Sequence, residues 1–98
     1  MEFLNTENLK KYPTNILNDQ MRCLARVTIM LERTTQKILA NAIDISVKYF
    51  CCWINNSCGL KEGTLHTLLN YVKNTYPDDI EFIMRLAEEV NCYKWKKS

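Results

Sequence analysis

Apolar side chains recur every seven residues through the middle of the chain: Leu17, Leu24, Leu31, Ile38, Ile45 and Cys52. Met21, Thr28, Thr35, Ala42 and Tyr49 form the adjacent row. This spacing keeps one face of a 3.6-residue helix apolar, and the two-residue alternation of a strand fits it much worse. Between Pro13 and Gly59 the chain has no Gly or Pro, the two residues most costly inside a helix. The pattern predicts helix across about 16–57. Thr14 or Asn15 supplies a capping oxygen at its start. Cys58-Gly59-Leu60 ends it, with Gly59 left-handed and Leu60 folding back as an apolar contact.

Length complicates this reading. One helix over 16–57 would run about 63 Å, whereas a globule of 98 residues is only about 30–35 Å across. The segment is therefore one long helix in an elongated molecule, or it breaks once. Asn41 is one candidate break, able to cap a new helix that holds Asp44 in its first turn; Arg33-Thr34-Thr35 is the other.

Two further helices follow. The first covers about 64–75, capped by Thr64, with Leu65, Leu68, Leu69 and Val72 along one side. The second begins at Pro77-Asp78-Asp79, where proline suits the first helical position and acids suit the positive helix end. Ile80, Ile83, Met84, Ala87 and Val90 form its buried stripe, with Phe82 and Leu86 beside it. A short helix near 4–11 is weakly signalled. The expected architecture is all-α: a small helical bundle of four or five helices forming one domain over 1–98, with one long or once-broken helix across about 16–57.

Charge adds little. Thirteen basic and eleven acidic residues leave a net charge of +2, too balanced to imply nucleic acid. Frequent Asn, Lys, Ile and Tyr point to an AT-rich genome, of a eukaryote or a large DNA virus. Five cysteines, an odd number with no signal peptide before them, read as reduced thiols of a cytoplasmic or nuclear protein. No apolar run is long enough to span a membrane.

Candidate chemistry is sparse. Cys51, Cys52, Cys58 and the only histidine, His66, lack the paired spacing of a zinc site, and buried or half-buried thiols account for them. No C-x-x-C motif supports redox work. Asp78, Asp79 and Glu81 read as a helix start and Glu88-Glu89 as a solvated face, so no acid–base pair is selected. No catalytic residue, metal ligand or cofactor is expected.

Two binding readings remain. The preferred one is a non-enzymatic protein–protein interaction module, such as an adaptor, an assembly subunit or a viral modulator of a host. It would engage another protein or itself through an apolar helical face. Tyr49, Phe50 and Trp53 crowd about one helical turn and cannot all face one core, and surplus aromatics are enriched at interfaces. Tyr49, Trp53 and Trp95 are the expected contacts. The alternative is a helix-turn-helix nucleic-acid binder built on 54–70, with Lys61, Thr64, His66 and Thr67 on its reading face. Its weakness is the shortage of cations to neutralise phosphate. The aromatic and lysine-rich 93–97 segment could stack on bases or lie along the bundle.

Overall fold

In the computed structural model the backbone is described for residues 13–97 and the side chains for 13–89. These residues form five helices: α1 (Thr14–Met30), α2 (Gln36–Ala42), α3 (Val47–Ile54), α4 (Glu62–Thr75) and α5 (Ile80–Lys97). Among the described residues there is no strand. The helix expected near 4–11 lies outside them. Helix α1 is the centre of the bundle: it packs most extensively on α5 and also on α4 and α3, while α2 packs on α3 and α4. The molecule measures 31 × 31 × 26 Å along its principal axes, so a 63 Å rod is excluded.

The segment expected to be one helix or once broken is broken twice, at the Arg33-Thr34-Thr35 candidate and at 43–46, just past the Asn41 candidate. The physical reason is a repeated stop signal that does not use glycine. After α1, Glu32 takes φ 60°; after α2, Asp44 takes φ 58°; after α3, Asn56 takes φ 66°. In each case two backbone bonds close the same motif. Glu32 N–H donates to Ile29 O and Arg33 N–H to Thr28 O; Asp44 N–H donates to Asn41 O and Ile45 N–H to Ala40 O; Asn56 N–H donates to Trp53 O and Ser57 N–H to Cys52 O. This is the Schellman arrangement, which satisfies the last carbonyls of a helix and turns the chain away. Glycine usually fills its left-handed position, because other residues crowd their own Cβ there. Gly59, expected in that role, is not left-handed; Asn56 ends α3 three residues earlier.

New starts follow each stop. Thr35 Oγ1 accepts from Ile38 N–H and caps α2; Ser46 Oγ accepts from Tyr49 N–H and caps α3. Asn41, expected as a cap, instead lies in the last turn of α2. Two other expected caps are also displaced. Pro13, not Thr14 or Asn15, precedes α1, and Lys61, not Thr64, precedes α4; neither offers a side-chain bond. Pro77-Asp78-Asp79 forms the turn before α5, and Asp79 O accepts from Ile83 N–H as the helix begins.

Each break resets the helical phase, so the seven-residue seam is real only in α1. Leu17 and Leu24 are fully buried, Leu31 and Ile45 half-buried, and Ile38 and Cys52 exposed. After the first break the core is taken over by Leu39, Ala40 and Ile43, and then by Phe50, Trp53 and Ile54. Thr28, a polar residue in the seam, is tolerated because its hydroxyl donates to Leu24 O at 2.7 Å within its own helix. The expected face of α4 is buried in full: Leu65, Leu68, Leu69 and Val72. On α5, Ile83 and Ala87 are buried, Ile80, Met84 and Leu86 are half-buried, and Phe82 is exposed. Val90 lies outside the described side chains.

Candidate functional site

The polar groups closest to the core hold the fold together. Asn18, on the buried side of α1, meets the 55–61 segment edge to edge. Its Oδ1 accepts from Leu60 N–H and from Trp53 Nε1, both at 2.8 Å. Its Nδ2 donates to Leu60 O at 3.1 Å and to Thr14 O at 2.9 Å. One amide thus satisfies a buried indole and both backbone groups of a buried loop residue. Arg22 extends the knot: Nε donates to Trp53 O and an Nη to Cys58 O, both at 2.6 Å, while the other Nη pairs with Asp19 at 2.9 Å. Arg26, one turn further on, donates to Ile54 O. Two arginines from α1 therefore sit on the carbonyl end of α3, where the helix dipole is negative and carbonyls lack helical partners. The Arg22 guanidinium also lies 5.7 Å from the Trp53 ring centroid.

Trp53 is accordingly a core residue. It is fully buried and packs edge-on against Phe50, with centroids 5.3 Å apart and planes at 64°. The expectation that Trp53 is a surface contact is corrected: its indole N–H has an internal acceptor and its ring an internal pocket. Of the crowded aromatics, Phe50 and Trp53 enter the core and Tyr49 is left outside. Tyr49 is 45% exposed, and its hydroxyl donates to Gly59 O at 3.3 Å, so it lies over the loop after α3. The side chain of Trp95 lies outside the described residues.

Among the described residues, a surface concavity lies beside that knot. A shallow groove of about 260 Å³ runs between the end of α1, the start of α2 and the end of α3. Arg26, Ile29, Met30, Gln36, Ile54 and Asn55 line it. Ile29 and Ile54 give it an apolar floor, and Met30, 63% exposed, stands at its edge. Arg26 is its only charged lining residue, and among the described residues no carboxylate pairs with it. Comparison with protein families, curated proteins and solved structures returns no match.

The residues of the helix-turn-helix alternative lie at the start of α4. Lys61 and Thr67 are exposed, and Thr64 and His66 are half-buried. Thr67 Oγ1 turns back onto Gly63 O at 3.0 Å. His66 Nε2 stands 3.6 Å from Glu62 Oε1, past hydrogen-bond distance, so a carboxylate accompanies the only histidine on this face. Seven residues, 55–61, separate α3 from α4, more than the three or four of a helix-turn-helix. Cys51 and Cys52 are exposed and Cys58 is half-buried, and none of the three forms a disulfide. Among the described residues no three His, Cys, Asp or Glu side chains converge, and no helix is long and apolar enough to cross a membrane.

Sequence reasoning missed the groove. Met30 has no place in the seven-residue rows, and its exposure depends on α1 stopping there. The one available hint was chemical, since methionine is common at adaptable binding surfaces.

Proposed function

We propose that this protein is a non-enzymatic interaction module that binds another protein, or a second copy of itself, through the groove at the junction of α1, α2 and α3. The observation that carries this reading is Met30, exposed to 63% at the edge of an apolar floor made by Ile29 and Ile54. Exposed apolar surface rimmed by polar groups, here Arg26, Gln36 and Asn55, is the usual make-up of a protein contact. Tyr49 serves as a secondary contact on the outer face of α3. Among the described residues, no arrangement of nucleophile, base and pocket competes with this reading.

The test combines mass measurement in solution with affinity capture from the native source. Wild-type chain self-associates or retains a protein partner, and Met30→Glu loses that association while keeping its helical circular dichroism. A strictly monomeric wild type that captures nothing above control overturns the reading. The nucleic-acid alternative is tested by binding at two salt concentrations. Phosphate-driven binding weakens steeply with salt, and the interaction-module reading expects no binding even at low salt.

A further inference from the structure

Carboxylates gather locally around the start of α5. Residues 13–61 carry six basic and three acidic side chains, whereas 62–89 carry two basic and six acidic ones, before Lys94, Lys96 and Lys97 near the end of the same helix. The groove belongs to the first part and has a lone arginine in its lining. In the second part Phe82 is 51% exposed on α5, an aromatic left outside the core. Its sequence surroundings are mostly anionic, with Asp78, Glu81, Glu88 and Glu89 against the single cation Arg85.

The two features lie at one end of the molecule. Met30 and Gln36 flank the 31–35 turn, and Phe82 follows Asp79 by three residues. That turn is tied to the start of α5 by the Arg33–Asp79 ion pair at 3.3 Å and by the Tyr76 hydroxyl, which donates to Arg33 O at 2.6 Å.

We infer that the groove receives Phe82 of a second copy, in a two-fold dimer where each chain gives one ring and takes one. The inference rests on the interaction-module reading and names its partner. The complementarity is apolar and electrostatic. The ring lies between Ile29, Met30 and Ile54, and the carboxylate-rich start of α5 approaches Arg26. Because groove and ring share one end of the molecule, a single two-fold axis brings both pairs together, which is the geometry of a closed dimer. The contact is small, so the dimer is a weak, reversible one.

Sedimentation equilibrium over about 10 µM to 1 mM tests this. The expected mass rises from 11.6 kDa toward twice that value and stops there. Phe82→Ala and Met30→Glu, both at exposed positions, each weaken the dimer at least about tenfold. A mixture of the two variants associates more tightly than either alone, because the ring of Met30→Glu still fits the groove of Phe82→Ala. A wild type monomeric at 1 mM, a mass that climbs past the dimer, or a dimer indifferent to both substitutions overturns the inference. If the monomeric wild type still retains a different protein in a Met30-dependent way, the broader reading stands and only this partner is wrong. If it retains none, both fall.

Discussion

Helix α1 and the α2–α3 pair are neighbours in sequence and differ in how they are held. Helix α1 runs 17 residues without interruption, with ten of them buried, polar side chains included. The next stretch spends its helical residues in two pieces of seven and eight, each with only two or three buried positions. Helices that short are marginal by themselves, since nucleation costs more than a few hydrogen bonds return. Three devices compensate: a side-chain cap at each start, a Schellman closure at each end, and the arginines of α1 placed on the carbonyl end of α3. The long helix thus acts as a template, and the short ones exist because it offers them partners. A buried polar residue on α1 is for that reason worth more than its own bonds suggest.

Removing the template side of this relation has the largest expected effect. Asn18→Ala leaves Leu60 N–H, Leu60 O and the Trp53 indole without their partner, in a site water does not reach. Denaturant unfolding should show a loss of about 3–4 kcal/mol. Arg22→Met strips Trp53 O and Cys58 O of charged donors and costs about 2–3 kcal/mol. Arg22→Lys recovers only part of that, because an ammonium cannot reproduce the guanidinium fork. If either loss is below 1 kcal/mol, α3 does not depend on α1 as described.

Smaller changes act on the short helices themselves. Thr35→Ala and Ser46→Ala each remove a cap and should cost about 1 kcal/mol. The same measurement on Thr14→Ala, at the start of α1, should show a smaller change, since no side-chain cap closes that end. The smallest effect has the opposite sign. Glycine at Glu32, Asp44 or Asn56 relieves a left-handed side chain, offset in part by added freedom of the unfolded chain. Each should raise stability by about 0.5–1 kcal/mol. Alanine at the same positions should give no such gain.

These three residues also explain which parts of the fold were legible. The start of α2 was marked by the Arg33-Thr34-Thr35 candidate, but Ser46, the cap of α3, was passed over in favour of Asn41. The stops were not marked, because Glu32, Asp44 and Asn56 carry none of the glycine signal that marks a left-handed helix end. Once the phase is reset after Glu32, a seven-residue count carried forward assigns Ile38 and Cys52 to a core they never reach. It also gives no warning that Trp53 is inside. The faces of α4, and of α5 around Ile83 and Ala87, needed no such continuity and were readable from local spacing.

The local spacing of apolar residues was enough to make the chain helical. It also placed the first aliphatics of α1 on one seam, and it marked the buried stripe of α4 and the part of the α5 stripe at Ile83 and Ala87. Each of those properties depends on residues within a few turns of one another. Tertiary structure alone decided which aromatic stays outside, which polar groups are structural, and where an open apolar groove is left. Those outcomes depend on pairs far apart in sequence, such as Asn18 with Leu60 and Arg22 with Trp53, and no local pattern records which distant carbonyl a side chain will meet.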